Sequence, residues 1–359
     1  MRILFFIIVG LHGLIHLMGF AKAFDIGAVT QLSKEISKPL GILWLAAFFL
    51  FLTSAILFLL KKEEWWIIGI VAAIISQILI FTVWNDAKFG TIANLIILVA
   101  ILLTYGNYRF EKNYQKEVKE NLQRTTLLTT DLLTEPDLML LPEPVQRYLR
   151  YTGVVNKPKL NNMHIVFEGQ MREKGKDFFP FTCEQYNFFD EPTRLFFMKA
   201  KMKGFTVSGY HRYSNANALM DIRLFGFFPV VKKIGKDMDK AETVTLFNDM
   251  CLMAPATLID KRITWHAIDS TSAKATFTNH NITISAILYF NAQGQLINFV
   301  SNDRDVNQYP FSTPVRNYKN INGINIMTYG EAIWHYPEGK FVYGKFNLKE
   351  VKYNVSVLK

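Results

Sequence analysis

Two histidines, His12 and His16, stand four residues apart inside an uncharged apolar run from Ile3 to Phe20. In a helix that spacing puts both imidazoles on one face. Such a pair suits metal or haem ligation or proton transfer, and an ionisable side chain in an apolar span is a functional candidate by default. The plainer reading is two neutral rings hydrogen-bonded to neighbouring helices, and no carboxylate lies within the other apolar runs to complete a metal set. Asn85-Asp86, between the third and fourth runs, reads as a cap for the fourth helix, because a carboxylate accepts from free amides at the positive end of the helix dipole.

Further along, His164, His211, His266, His280 and His335 are the remaining imidazoles, two of them in the repeated dipeptides Trp265-His266 and Trp334-His335. On strands each dipeptide sends one ring to either face. A metal site would need three or four of these to converge, with a carboxylate such as Glu184 or Glu331, and no HxH or HExxH spacing supports that. Asp303-Arg304-Asp305 and Asp221-Ile222-Arg223 place opposite charges close together. The bland version is surface pairing worth less than about 1 kcal/mol. The sharper version is a buried arginine facing a lipid phosphate or carboxylate. There is no glycine-rich phosphate loop and no G-x-S-x-G elbow. Cys183 and Cys251 are too few for a disulfide scaffold or a four-cysteine zinc site. No cofactor or metal is expected.

The elements that carry these residues fall into three segments. The chain has 359 residues, is half hydrophobic, only 19% charged, and carries a formal charge of +10. Soluble domains carry about 25% charge, so an apolar part dilutes the rest. Ile3–Phe20, Leu40–Leu60, Trp65–Trp84 and about Phe89–Tyr105 are free of charge. A bilayer core about 30 Å thick takes roughly 20 helical residues, so the pattern predicts a four-span membrane bundle over residues 1–106. Trp44, Trp65, Trp66 and Trp84 mark its span ends as interfacial anchors.

Four crossings leave both ends of the bundle on one side. That side carries Arg2, Lys61, Lys62, Arg109, Lys112, Lys116, Lys119 and Arg124, and the other Lys22, Lys34, Lys38 and Lys88. The positive-inside rule then predicts an inner-membrane protein with a cytoplasmic carboxyl terminus, a periplasmic one being the alternative.

Residues 107–157 form a basic linker helix followed by short amphipathic helices. The Tyr108–Arg124 stretch reads as the fourth helix continuing, its lysines meeting anionic headgroups or water. Pro144 to Gly153 has a proline at a helix start and a glycine at its end. From 158 to 359 the period changes to two, and turn signals such as Asn291-Ala-Gln-Gly294 and Asn322-Gly323 separate ten or more strands. They include Val315–Ile321 and Ile324–His335. One helix, within Asp237–Ile259, interrupts them. The expected architecture is a mainly antiparallel β domain, a curved half-barrel-like sheet with one or two covering helices.

Several stretches are apolar on nearly every residue, and Phe and Met are used heavily. Phe167, Phe188, Phe196, Met198, Phe225, Phe227, Phe228, Trp265 and Trp334 are the candidate ligand-binding residues. They line a lipophilic pocket or fill an ordinary core, with Phe225–Pro229 a candidate membrane-docking loop. Basic residues are scattered, with short clusters only at Lys199–Lys203 and Lys232–Lys236, and no nucleic-acid recognition module is readable. Anionic membrane lipid fits the clusters better.

The order of features from His164 to Asn354 resembles the LolA/LolB-type lipoprotein-carrier superfamily: Phe167–Gly169, DEPTRLFF at Asp190–Phe197, the helical insertion ending at Ala254–Asp260, the Ile287–Leu296 hairpin and NGINI at Asn322–Ile326. That resemblance implies a curved sheet closed by helices over an acyl-chain cavity. The chain departs from carriers in having no lipobox cysteine. The whole arrangement, through LPEPVQRYLRYTG (Leu141–Gly153), FEGQMR (Phe167–Arg172) and GEAIWHYPEGKFVYGKF (Gly330–Phe346), also resembles an uncharacterised bacterial membrane-protein family with a domain of unknown function. The expectation is a non-catalytic membrane protein whose β domain binds an apolar or lipid-like ligand beside the bilayer. Its alternatives are an enzyme acting on a membrane-embedded substrate and a structural or partner-docking protein. A homo-oligomer stays open.

Overall fold

Four apolar stretches form helices long and apolar enough to cross a membrane in the computed structural model, which describes residues 2–128, 131–202 and 204–358. The chain divides into two compact units, Met1–Phe110 with Phe225–Phe227, and Glu111–Leu224 with Phe228–Lys359.

The first unit contains α1 (Arg2–Ile15), α2 (Leu17–Ala23), α3 (Lys38–Leu59), α4 (Trp65–Thr82), α5 (Trp84–Ala87) and the start of α6 (Gly90–Thr126). The first apolar run is therefore two helical pieces that meet at His16. Small residues let the helices approach closely. A Cβ on Gly19 would fall 2.1 Å from the Trp44 ring, so α2 and α3 pack at glycine distance. Trp44 is accordingly buried within the bundle; Trp65 stands at the start of α4, as expected, but is buried, whereas Trp84 is exposed. Asp86 caps a different segment from the one its sequence position suggests. Its carboxylate accepts from the Ser33 amide (2.8 Å) and hydroxyl (2.9 Å), pinning the loop between α2 and α3.

In the second unit, β1 (Asn162–Met171), β2 (Phe179–Phe188), β3 (Thr193–Met202), β4 (Phe205–Ser214), β5 (Asn217–Leu224) and β6 (Phe228–Ile234) precede a long helix. The helices α7 (Glu135–Leu138) and α8 (Glu143–Thr152) come before them, and α9 spans Lys236–Met253, followed by a 3₁₀ turn at Pro255–Ile259. Then come β7 (Ile263–Asp269), β8 (Ser272–Asn279), β9 (Ile282–Phe290), β10 (Leu296–Ser301), β11 (Phe311–Arg316), β12 (Lys319–Ile321), β13 (Ile324–Ile326), β14 (Tyr329–Tyr336) and β15 (Gly339–Tyr353). Among the described residues, thirteen strands make one antiparallel sheet, ordered β6-β5-β4-β3-β2-β1-β15-β14-β11-β10-β9-β8-β7, and its two ends do not pair. At about 4.8 Å per strand, β5 and β10 would lie roughly 38 Å apart in a flat sheet. Yet α9 packs on both, as well as on β6 and β9. The sheet therefore curls around the helix, and α9 is buried on nearly every face from Glu242 to Met253.

The strand β6 escaped the periodicity reading, which saw only an apolar patch and a lysine cluster there. It is an edge strand whose residues are almost all exposed. Pro229 and the Lys232-Lys233 pair are what an unpaired edge tolerates and what keeps it from pairing further. The two long strands read at 315–321 and 324–335 are also divided differently. Asn322 and Gly323 both adopt positive φ (52° and 79°), closing a separate two-stranded hairpin of β12 and β13. α8 ends on Gly153 at φ 73°, as its sequence suggests. It buries Val145, Tyr148 and Leu149, and Tyr148 donates to the Cys251 carbonyl (2.9 Å).

The continuation of α6 from Glu111 to Thr126 belongs to this second unit. Tyr114, Val118 and Leu122 recur every four residues and are buried, with Tyr114 stacked on Phe197 (5.2 Å). Lys112, Lys116 and Lys119 occupy the exposed side. This explains the consecutive apolar residues of β3. Phe197 turns toward α6 while Phe196 turns toward α9, so both faces of the strand are covered and the usual alternation disappears.

Candidate functional site

Between α9 and the concave face of the sheet lies a cavity of about 190 Å³. Strand register builds one wall. Gln185, Phe196, His211 and Met220 are directly opposite one another across β2, β3, β4 and β5, so all four project from the same face. Phe167 and Met171 of β1, and Phe346 and Gly330 across β15 and β14, build the far wall. Leu252, Met253, Asn248 and Asp249 of α9 form the roof.

The polar part of the cavity is organised around a buried guanidinium. Arg194 Nε donates to Asp249 Oδ2 (2.7 Å), Nη1 to Glu242 Oε2 (3.1 Å) and Nη2 to Gln185 Oε1 (3.0 Å). Asp249 also accepts from Gln185 (2.7 Å) and Asn187 (3.1 Å). Buried charges survive only when paired and hydrogen-bonded, and this cluster meets that condition while tying α9 to β2 and β3. His211 Nδ1 lies 3.8 Å from Glu242 Oε1. Burial alone would push the Glu242 carboxyl up. The opposing pull of Arg194, then His211 and the more distant Arg304, overrides it and holds the group at about 2. A carboxyl depressed from 4.5 contributes stability that is complete above about pH 4.5 and lost as pH falls toward 2. Acid titration followed by near-UV circular dichroism should show the second unit losing tertiary signal across that window, and Glu242→Gln should flatten the dependence.

Of the residues singled out from sequence, Phe167 and Phe196 line this cavity. Trp334 lies beside it, tilted against Phe311 (5.3 Å) and stacked on Tyr343 (6.5 Å). Met198 belongs to the main hydrophobic core, and Phe188 is fully buried under the Arg124 guanidinium. Trp265 is half-buried, its indole donating to the Leu258 carbonyl (3.1 Å). Phe227 and Phe228 are exposed, and Phe225 sits in the turn before β6 with φ 55°. The cavity residues that sequence reasoning did not single out include Met171, Gln185, Arg194, Met220, Met327, Tyr343 and the α9 set. Only the opposition of strands far apart in sequence selects them.

The imidazoles of the second unit do not converge. His164 is buried with Nε2 2.9 Å from Glu184, His266 and His280 are exposed, and His335 Nε2 lies 2.7 Å from Ser312 Oγ. Phe311 and Thr313 face the cavity, so Ser312 and its histidine belong to the opposite face. Among the described residues, no three of His, Cys, Asp and Glu gather as a metal site. Cys183 and Cys251 are unpaired thiols; burial pushes Cys183 up to about 12 and Cys251 well above its ordinary value, so neither is a ready nucleophile. Asp221 pairs along its own strand with Arg223 (2.7 Å).

In the first unit, His12 and His16 complete a closed hydrogen-bond chain. His16 Nδ1 donates to the His12 carbonyl (2.8 Å), its Nε2 accepts from Ser76 (2.9 Å), Ser76 accepts from Asn94 Nδ2 (3.0 Å), and Asn94 Oδ1 accepts from His12 Nε2 (2.9 Å). Each imidazole needs one proton for this pattern, which is the neutral, helix-joining arrangement. A second cavity of about 460 Å³ opens beside these rings, with largely apolar walls.

A family model described as a family of unknown function, DUF6544, matches residues 131–346. No curated protein matches the chain. Among solved structures, a LolA superfamily protein from Nitrosomonas europaea is 10% identical, with 58% of this chain and 93% of that one covered and a TM-score of 0.37. A domain named for outer-membrane lipoprotein sorting, from Vibrio parahaemolyticus, is 8% identical, with 60% and 93% covered and a TM-score of 0.36. Because the family model spans more than half of its residues, including α8, the whole cavity and the arginine cluster, the chain belongs to the DUF6544 family.

Proposed function

We propose that the second unit binds an apolar, lipid-like molecule in the cavity under α9, and that the four apolar helices anchor it in a bacterial inner membrane. The observation that carries this reading is the cavity itself. Four phenylalanines and four methionines line it beside the polar Arg194 cluster, and the sheet curls around α9 to enclose it. Methionine suits such a lining because its pliable thioether adapts to differently shaped occupants. Protein purified from membranes in mild detergent should carry extractable lipid in native mass spectra; a uniformly empty chain would overturn the proposal. The distribution of basic residues supports a cytoplasmic second unit, so a carboxyl-terminal reporter fusion should be active in the cytoplasm and silent in the periplasm.

A second reading is favoured by His211 and Glu242 lying together in that cavity: an enzyme acting on the bound molecule. Glu242, held at about 2 by its arginine, is a weak proton acceptor at neutral pH, which favours binding over catalysis. Turnover of an added lipid ester that disappears in His211→Asn, with lipid retention unchanged, would reverse that preference.

A further inference from the structure

We infer that the cavity selects a single-chain amphiphile with an anionic carboxylate or phosphate head, and that Arg304 receives the head. This rests on the ligand-binding reading above and adds the ligand's chemistry to it.

Two arginines line the cavity, and they are in different states. Arg194 is consumed by Asp249, Glu242 and Gln185. Arg304, in the connection after β10, has no carboxylate within ion-pair distance among the described residues. The acids beside it in sequence are engaged elsewhere. Asp303 accepts from Lys240 (2.7 Å) and the Ser285 amide (2.7 Å), and Asp305 accepts from the Asn307 amide (2.8 Å). Glu242 feels the Arg304 charge from a distance but is bonded to Arg194.

What surrounds Arg304 is aromatic. Its guanidinium carbon lies 4.1 Å from the Phe311 ring centre, 5.6 Å from Trp334 and 5.7 Å from Tyr343, and one N–H meets the Tyr343 hydroxyl. These cation–π contacts leave the N–H donors free to bond: of five N–H groups, only one has a protein acceptor among the described residues. That is the fork that carboxylates and phosphates bind through two parallel hydrogen bonds. Away from the Arg194 cluster, Met171, Met327, Ala332 and Phe346 give the cavity an apolar side along which an alkyl chain can lie. Size completes the argument. The cavity, at about 190 Å³, lies between the roughly 150 Å³ that holds benzene and the roughly 300 Å³ where drug-sized sites begin. One unbranched chain of medium length fits that range, and a diacyl lipid does not.

The test uses the full chain in lipid nanodiscs, with empty nanodiscs as blank, and radiolabelled decanoate, decanol and acetate as probes. Decanoate should bind about tenfold more tightly than decanol, the size of one charge-assisted hydrogen bond. Arg304→Gln should reduce decanoate to the decanol level and leave decanol unchanged. Acetate should not compete. Equal binding of decanoate and decanol by the unaltered chain would overturn the headgroup assignment while leaving the cavity reading intact, and needs no variant. Acetate competing as well as decanoate would reduce the site to an anion site and overturn the assignment too. Binding of none of the three would overturn both readings together.

Discussion

Replacing Arg194 by methionine is expected to cost the second unit about 3–5 kcal/mol, because it leaves Glu242 and Asp249 buried without their cation. The penalty is large because the alternatives are poor. Neither carboxylate reaches water readily, with side chains 4% and 9% exposed. The pH dependence should also change sign. In the native chain Glu242 is depressed, so acid removes stability. Without Arg194 burial dominates, the folded group titrates above its unfolded value, and its contribution is present at low pH and lost as pH rises. Urea melts of Arg194→Met at pH 4 and pH 7 should therefore show the variant relatively more stable at pH 4, opposite to the native order. Adding Glu242→Gln and Asp249→Asn should recover much of the loss. A variant that melts like the native chain at both pH values would show that the cluster does not hold α9 in place.

Phe247→Ala is expected to be comparably damaging, at about 3–5 kcal/mol, by a different physical route. Phe247 is fully buried on α9, stacked nearly parallel on Phe277 of β8 (5.2 Å, 8°) and edge-on to Phe299 of β10 (5.9 Å). Truncation removes apolar area and leaves a void that two rigid sheet strands cannot close. No charge is involved, so the loss should be nearly the same at pH 4 and pH 7. Comparing the two variants separates the electrostatic tether of α9, which reaches β2 and β3, from its hydrophobic seating on β8 and β10. A loss below about 1 kcal/mol for Phe247→Ala would mean that the helix can resettle on the sheet.

Much of this arrangement was legible from residues alone, for stated physical reasons. Uncharged runs of about 20 residues admit one inexpensive environment, so the four apolar helices could be read directly. Proline before and glycine after Val145–Tyr151 bounded α8, and a period of two between turn signals marked the run of antiparallel strands. The reading failed where local pattern and tertiary role diverge. An exposed edge strand such as β6 has no buried face and therefore no alternation to detect. Asp86 resembled a helix cap because its partner, Ser33, is fifty-three positions away. Trp44 resembled an interfacial anchor because a sequence does not show that Gly19 has made room for it.

The candidate site divides along the same line. Composition already announced a surplus of phenylalanine and methionine on strands, and the acid–arginine triplet at 303–305 was visible as a charge pattern. Which rings face a void was not visible. That depends on the curl that lets α9 touch β5 and β10 at once, and on register that sets Gln185, Phe196, His211 and Met220 in one row. Likewise Arg194 and Arg304 look alike in the chain, and only the fold surrounds one with carboxylates and the other with aromatic rings. Period and hydrophobicity are properties of neighbours in sequence, so they determined the helices, the strands and their apolar character. The cavity, its buried ion cluster and the guanidinium of Arg304, ringed by aromatic side chains, are made by residues tens of positions apart, and tertiary packing alone decided them.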